Sequence, residues 1–289
     1  MASPRTVMDY LQLATGHLDA SGVESPRLDA EVLLADLLGI ERIQLYVQHD
    51  RPLTRLEVDA YRQRIARRAR REPVAYITGK REFYSLELKV DRRCLIPRPE
   101  TEHLVETALA ELGRRFAGEA CLDVADIGTG SGAIAAGVAK GEPRARVTAT
   151  DIDAGALELA AENLARLGLS GRVQLVRGDL LEPLQGVLFH AILSNPPYIA
   201  ESQWEHLPPD VRLYEPRGAL LGGADGLDLI RRLIQEAWPR LVPRGFLALE
   251  IGHDQGEAVL ELARARGYAS AWLVQDLAGR DRVAVMAKE

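Results

Sequence analysis

Four consecutive residues, Asn195-Pro196-Pro197-Tyr198, follow an apolar run of strand character at residues 191–194. The two prolines fix the backbone and carry no N–H group, so the carbonyl groups beside them are open to other donors. Together with the side-chain oxygen of Asn195, these carbonyl groups can accept hydrogen bonds from one planar NH2 group. The ring of Tyr198 can then cover the flat face of that group. The stretch therefore predicts a site for a planar amine or amide at the carboxyl end of a strand.

A glycine-rich loop lies upstream of this corner. An apolar strand at residues 122–127 runs into Gly128-Thr129-Gly130-Ser131-Gly132, and Asp151 follows about twenty residues later, as in dinucleotide-binding folds. The positions of Gly128, Gly130 and Ala133 satisfy the loose dinucleotide pattern. The loop alone therefore does not separate a nicotinamide cofactor from other adenosine compounds.

Two features of the loop favour a cationic adenosine compound. The additional Gly132 gives a five-residue Gly-x-Gly-x-Gly loop, and Asp126, two residues before the loop, would repel a pyrophosphate but suits a cation. S-adenosylmethionine carries such charges in its ammonium and sulfonium groups. Asp151 is placed to accept hydrogen bonds from both ribose hydroxyls, and Asp179 and Leu180 follow the next strand, where they can border the adenine. We expect all these strand ends to share one crevice.

The order of the apolar segments predicts the fold. From Cys121 onward, short strands alternate with longer helices, which is typical of a mostly parallel sheet covered on both faces. Seven strands are expected, at residues 122–127, 146–150, 173–176, 187–194, 246–251 and near 272–274 and 282–285. We predict an α/β fold for this part of the chain.

The part before Pro73 has the spacing of helices and predicts a small helical bundle. Ser25-Pro26 indicates a helix start, and Thr54 with Glu57 indicates a capping box. We predict three parts: a bundle over residues 1–72 that recognises a substrate protein, a β-hairpin linker over 73–95, and a ligand-binding domain over 96–289. The hairpin strands are expected at residues 75–84 and 86–90. Within residues 96–102, two prolines stiffen the chain around Arg98, so this segment either lines a binding cleft or is a plain connector.

The last helix of the bundle carries six arginines, which form either a solvated surface or a contact with a macromolecular partner. They are Arg62, Arg64, Arg67, Arg68, Arg70 and Arg71.

Composition excludes several classes of protein. The net charge of −6 argues against sequence-independent binding to nucleic acid, which depends on a basic face. Cys94 and Cys121 are too few for a disulfide framework or a zinc site, and no metal is expected. No signal sequence or run of about twenty apolar residues occurs, so we predict a cytoplasmic protein without membrane contact.

The motifs together resemble a known family. Asp126-Ile127-Gly128-Thr129-Gly130-Ser131-Gly132 with Asn195-Pro196-Pro197-Tyr198 resembles the class I S-adenosylmethionine-dependent methyltransferases that modify planar exocyclic nitrogens. More narrowly, the chain is similar to the protein-(glutamine-N5) methyltransferase family that acts on peptide chain release factors. The features that narrow the resemblance lie at residues 73–79, 83–84, 96–102, 250–256 and 276–282. Leu180 stands where relatives can carry an aromatic residue.

The resemblance implies a Rossmann-like class I methyltransferase fold and a reaction. A methyl group passes from S-adenosylmethionine to the side-chain amide nitrogen of the glutamine in a release factor's Gly-Gly-Gln motif, with S-adenosylhomocysteine as the second product. We expect catalysis by Asn195, Pro196 and Tyr198, with Pro197 and Arg98 also binding the substrate. The expected cofactor-binding residues are Asp126, Gly128, Thr129, Gly130, Ser131, Gly132, Asp151, Asp179, Leu180 and Asn195. Class I release factors are the expected partners, the protein is expected to be a monomer, and no direct contact with nucleic acid is expected.

Three other interpretations stay open at this point. A ribosomal-protein glutamine methyltransferase shares this type of corner. An adenine-N6 methyltransferase of DNA or RNA would use the corner to grip a flipped base. A non-catalytic module would only sense the cofactor or scaffold translation factors.

Overall fold

The computed structural model describes residues 5–289 as two compact units. The first comprises the described residues up to Lys80 together with Pro208–Tyr214, and the second comprises Arg81–Leu207 and Glu215–Glu289. The α-helices of the described residues are, in chain order, α1 (Val7–Ala20), α2 (Pro26–Leu38), α3 (Arg42–Val47), α4 (Arg55–Ala69), α5 (Val74–Thr78), α6 (Glu102–Arg115), α7 (Ala133–Gly141), α8 (Ala154–Arg166), α9 (Pro209–Tyr214), α10 (Asp228–Ala237) and α11 (Gly256–Arg266). The strands are β1 (Lys80–Phe83), β2 (Leu86–Lys89), β3 (Leu122–Ile127), β4 (Ala145–Asp151), β5 (Val173–Arg177), β6 (Phe189–Ser194), β7 (Leu241–Glu250), β8 (Ser270–Gln275) and β9 (Asp281–Ala287).

The first unit is helical, as the apolar spacing predicts. Helices α1, α2 and α4 bury one apolar cluster, with Leu11, Leu33 and Tyr61 among its members. The capping box at the start of α4 is present: Glu57 N donates to Thr54 Oγ1 at 3.3 Å, and Thr54 N donates to Glu57 Oε2 at 2.7 Å. Its local sequence therefore determines where α4 begins.

The predicted hairpin is wrong over residues 75–78, which form helix α5 instead of a strand. Their β-branched and aromatic residues favour a strand, but the two ends of the segment favour a helical turn. Pro73 precedes it, and Gly79 closes it in the left-handed conformation with φ of 75°. Because Ile77 is buried in the cluster of the helical unit, that unit continues beyond the predicted end of the bundle at residue 72.

Most arginines of the last long bundle helix have acidic partners inside the helical unit. Arg68 is nearly buried and contacts Asp29 and Asp210 at 2.7 Å each, and Arg71 contacts Asp210 at 2.6 Å. Arg64 contacts Asp36 at 2.5 Å. The arginine-rich helix therefore holds the unit together, which leaves little of it as an unpaired basic surface.

The second unit contains the predicted seven-stranded, mostly parallel sheet. Its strand order is β5-β4-β3-β6-β7-β9-β8, and only the pairs formed by β9 are antiparallel. One apolar cluster lies on each face, and both clusters draw on the strands of this sheet. The α/β fold class predicted from the sequence is confirmed.

The strand order reverses between β3 and β6. The chain runs from β3 outward through β4 to β5, and then returns to place β6 on the other side of β3. Ile127 at the end of β3 is level with Thr150 on one side and with Ser194 on the other. The next residues along each strand therefore emerge at the same edge of the sheet, where open α/β folds bind their ligands.

Candidate active site

A cavity of about 540 Å³ opens at this edge of the sheet, entirely within the second unit. The glycine loop and the end of β4 line one side of it, and Asn195, Pro196 and Pro197 line another. The structure therefore brings the two predicted motifs together around one space. Of the predicted site residues, the following contribute to the wall: Arg98, Gly128, Thr129, Gly130, Ser131, Asp151, Asp179, Leu180, Asn195, Pro196 and Pro197.

The glycine loop is held by the neighbouring strand. The amides of Gly128 and Thr129 both donate to the carbonyl oxygen of Thr150 at 2.9 Å. Gly132 adopts φ of 82° at the start of α7, and a Cβ atom there would lie 3.3 Å from Cβ of Ala160. Glycine is thus required at this position for both its conformation and its close packing.

Asp151 links the end of β4 to the loop. Its Oδ2 accepts a hydrogen bond from the amide of Gly130 at 2.9 Å, and its Oδ1 accepts one from the amide of Asp153 at 2.9 Å. Burial raises the pKa of this carboxyl group. Since each carboxylate oxygen has further lone pairs, Asp151 can still accept hydrogen bonds from two hydroxyls in the cavity.

Asp126 lies behind the loop, contrary to the expectation that it faces the ligand. It is fully buried and contributes nothing to the wall of this cavity. Its Oδ2 accepts hydrogen bonds from Thr129 Oγ1 at 2.6 Å and from the amide of Ala135 at 3.0 Å, whereas its Oδ1 has no partner among the described residues. Burial raises the pKa of Asp126 to about 7. The glycine spacing predicted an acidic residue near the ligand, but it did not reveal that the loop covers it.

Asp179 and Leu180 line the cavity. Asp179 is partnered by Arg232, which contacts its Oδ2 at 2.9 Å. Leu180 has φ of 46°, an uncommon value for a residue with a Cβ atom. Its carbonyl oxygen accepts a hydrogen bond from Thr150 Oγ1 at 3.1 Å, which ties this turn to β4.

The Asn195 side chain is held on one side only. Its Nδ2 donates to Thr101 Oγ1 at 3.1 Å, and Thr101 Oγ1 donates to Glu250 Oε2 at 2.5 Å. Within residues 5–289, the side-chain oxygen Oδ1 of Asn195 accepts no hydrogen bond. The acceptor end of the carboxamide therefore has no partner among the described residues.

Tyr198 contributes nothing to the cavity wall, although we expected its ring to cover the bound group. The ring packs against an apolar cluster of the second unit, and the hydroxyl donates to Glu250 Oε1 at 3.3 Å. Burial raises the pKa of Tyr198. The carbonyl oxygen of Tyr198 also accepts a hydrogen bond from Gln255 Nε2 at 2.9 Å. Tyr198 therefore secures the corner from behind.

Arg98 lines the cavity with its guanidinium fixed in place. Its Nη2 donates to Glu215 Oε1 at 2.5 Å, and the other oxygen of Glu215 accepts the amide of Ile96 at 3.1 Å. Glu215 is almost fully buried and was not predicted as part of the site. The segment around Arg98 therefore lines the cleft and is more than a connector.

Other types of site find no support in the part of the chain that the structure describes. Between Arg5 and Glu289, no cluster of His, Cys, Asp or Glu is arranged to hold a metal ion, and no helix is long and apolar enough to span a membrane. Cys94 and Cys121 are both free thiols. Burial raises the pKa of Cys94 to about 12, so it is not a reactive thiolate.

The topology and the cavity at its switch point define a Rossmann-like domain of the class I methyltransferase type. A solved methyltransferase from Pyrococcus furiosus shares this fold: the TM-score is 0.52 at 22% identity, with 78% of this chain and 98% of that chain covered. Residues 9–79 match the model of the PrmC N-terminal domain, and residues 105–207 match that of the methyltransferase small domain.

Two relatives identify the family. The release factor glutamine methyltransferase of Rhodopirellula baltica is 44% identical over 99% of this chain and 97% of its own length. That of Moorella thermoacetica is 48% identical over 96% of each chain. The chain belongs to the release factor glutamine methyltransferase family, which confirms the resemblance inferred from the motifs.

Proposed function

We propose that this protein transfers a methyl group from S-adenosylmethionine to the side-chain amide nitrogen of the glutamine in the Gly-Gly-Gln motif of class I peptide chain release factors. One observation carries the proposal: the acceptor oxygen of Asn195 and the glycine loop beside Asp151 belong to the same cavity. The names of the curated relatives supply the release factor as the substrate.

The residues around the cavity fit S-adenosylmethionine. Asp151 offers its remaining lone pairs to the ribose hydroxyls, and Asp179 and Leu180 border the adenine. The orphaned oxygen of Asp126 suits a cationic group held at the loop in front of it, because a cation favours the ionised carboxylate. When bound, the cofactor supplies an electrophilic methyl group on a positively charged sulfur.

The chain's own residues make a weak nucleophile reactive by orientation. An amide nitrogen reacts poorly because its lone pair is delocalised, and no side chain here is basic enough to deprotonate it fully. Asn195 Oδ1 and the Pro196 carbonyl oxygen accept the two N–H groups of the glutamine amide, which aims the nitrogen at the methyl group. Tyr198 and Gln255 hold the backbone of the corner that carries both acceptors.

The same two acceptors favour the transition state over the ground state. When the amide nitrogen takes up the methyl group, positive charge develops on it and its hydrogens become more acidic. Fixed oxygen acceptors bind these hydrogens more strongly at that stage, and the nitrogen then loses one proton to water.

A methyl-acceptor panel tests the proposal. The protein is incubated with tritiated S-adenosylmethionine and, in parallel, with class I release factors, ribosomal proteins, DNA and RNA. We expect label in a release factor only, and mass spectrometry placing one methyl group on the glutamine of Gly-Gly-Gln. Release factors in which this glutamine is replaced by glutamate are the matched control. Label in a ribosomal protein or in adenine would contradict the proposal in favour of the corresponding alternative.

Recognition of the substrate protein by the helical unit is part of the proposal. It is supported by the match of residues 9–79 to a family-specific amino-terminal domain. Activity as a monomer, location in the cytoplasm and the absence of direct nucleic-acid binding stay predictions from the sequence.

A further inference from the structure

We propose that Thr101 and Glu250 are positioning residues that fix which end of the Asn195 carboxamide faces the substrate. The inference rests on the proposed function, because it assigns Asn195 Oδ1 the task of accepting a hydrogen bond from the substrate amide. It adds two residues to the site that the sequence motifs did not single out for this task.

The three side chains form one connected path, in which Asn195 and Thr101 line the cavity and Glu250 does not. Asn195 Nδ2 lies 3.1 Å from Thr101 Oγ1, which lies 2.5 Å from Glu250 Oε2. Thr101 is 4% exposed and Glu250 is 1% exposed, so water does not compete for these groups. Thr101 lies at the start of α6 and Glu250 at the end of β7, and both elements are anchored in the packed core of the second unit.

The direction of these hydrogen bonds follows from the number of protons available. A threonine hydroxyl has one proton, and Thr101 donates it to the Glu250 carboxylate. Toward Asn195 the hydroxyl oxygen can therefore act only as an acceptor. An acceptor there selects the NH2 end of the carboxamide, and the oxygen end must face the cavity.

Removing the acceptor at Glu250 would remove this selection. The hydroxyl of Thr101 would then be free to donate to Asn195 Oδ1, which would turn the carboxamide around. The NH2 end would face the substrate, where it would oppose the N–H groups of the glutamine amide. The buried carboxylate therefore controls the productive orientation of a side chain two hydrogen bonds away.

The charge on Glu250 also acts through the path. Burial raises the pKa of this carboxyl group, whereas the hydroxyls of Thr101 and Tyr198, which its two oxygens accept, and the charge of Arg282 favour its ionised form. Hydrogen bonds in a chain polarise one another, so a carboxylate at the far end makes the Asn195 oxygen a stronger acceptor. Both effects act on the chemical step and leave cofactor binding unchanged.

The test compares single-turnover methyl transfer at saturating cofactor and release factor in the full-length protein. Thr101→Val replaces the hydroxyl by a methyl group of similar size, and we expect the rate to fall about 10- to 100-fold, a typical loss for a residue that orients a functional side chain. Glu250→Leu, which removes both acceptor oxygens, should lower the rate by a similar factor. Thr101→Ser keeps the hydroxyl and should restore most of the rate. Thr148→Val on β4 is the matched control, because Thr148 is outside the wall of the cavity.

A double-substitution cycle separates positioning from loss of structure. In the background of Asn195→Ala there is no carboxamide to orient, so Thr101→Val should cause no further loss of rate there. A full additional loss in that background would overturn the inference, as would a normal rate for Thr101→Val or a rate for Thr101→Ser as low as that of Thr101→Val. If Thr101→Val does not fold, Glu250→Leu in the presence and absence of the Asn195 carboxamide tests the same inference. Absence of methyl transfer by the unaltered protein would instead contradict the proposed function.

Discussion

The carboxylate of Asp151 accepts a hydrogen bond from the amide of Gly130 at 2.9 Å, joining the end of β4 to the glycine loop that follows β3. One acidic side chain thus shapes the loop and offers its remaining lone pairs to the cavity.

Asp151→Ala should weaken the binding of S-adenosylmethionine. The rate of methyl transfer at saturating cofactor should change much less. Hydrogen bonds to a charged group are worth about 1.5–3 kcal/mol, which corresponds to roughly a 10- to 150-fold rise in Kd. Isothermal titration calorimetry measures the change. Asp123→Ala, at the opposite end of β3, serves as the control and should bind normally. Unchanged affinity in Asp151→Ala would show that the ribose is not held at this residue.

We expect Asp126 to release a proton when the cofactor binds. Burial raises the pKa of Asp126 from 3.8 to about 7 in the protein without ligand. Between about pH 4 and pH 7 the folded protein therefore keeps a proton that the unfolded chain has already lost, so the contribution of Asp126 to stability falls as the pH rises through this window and stays lost above it. A cation in front of the loop favours the ionised form, so binding should expel that proton at pH values near and below 7.

Calorimetry in two buffers with different ionisation enthalpies measures this proton release. We expect a fraction of a proton per cofactor at pH 7, more at pH 6 and almost none at pH 9. Asp126→Asn cannot ionise and should lose the effect. If this variant releases as many protons as the unaltered protein, the effect belongs to another group and Asp126 does not sense the cofactor.

Replacing Gly226 should slow methyl transfer without weakening cofactor binding. A Cβ atom there would overlap the carbonyl oxygen of Tyr198 and lie 2.8 Å from Gln255 Nε2, so Gly226→Ala must displace the corner that begins at Asn195. We expect the rate of methyl transfer to fall at least about tenfold, since small displacements of positioned groups have large effects, with cofactor affinity nearly unchanged.

Gly168→Ala is the matched control for this experiment. Gly168 has φ of 70°, close to the 77° of Gly226, but nothing lies within 4 Å of the position of its Cβ atom. Both variants carry the cost of a left-handed backbone, about 1 kcal/mol of stability. Only the variant at Gly226 disturbs the corner, so equal rates in the two variants would contradict the role given to this contact.

The sequence predicted the seven-stranded sheet and the placement of Asn195 and Asp151 around one cavity, because both depend on local patterns. Apolar runs identify parallel strands, and the carboxyl ends of parallel strands meet at one edge. The partners of Asn195 could not be found in this way. Thr101 and Glu250 lie 94 and 55 residues from it in the chain, and a single threonine or glutamate has no spacing that marks it as a hydrogen-bond partner.

Two residues of the predicted motifs do not line the cavity, although we expected them to contact a ligand. Asp126 and Tyr198 lie beside cavity-lining residues in the chain, but the first is fully buried behind the glycine loop and the second packs against the apolar cluster behind the corner. Which of two neighbouring side chains faces a cavity depends on the packing of elements distant in sequence. Such packing also made residues 75–78 a helix, because Ile77 is buried in the core of the helical unit.

The most direct measurement for the central claim is the single-turnover rate of Asn195→Ala with saturating S-adenosylmethionine and release factor. Loss of a fixed acceptor at the reacting amide should lower this rate by about 100- to 1,000-fold, by analogy with the loss of one fixed donor in an oxyanion hole, while cofactor Kd changes only a few-fold. A rate near that of the unaltered protein would contradict the claim that Asn195 holds the glutamine amide for methyl transfer.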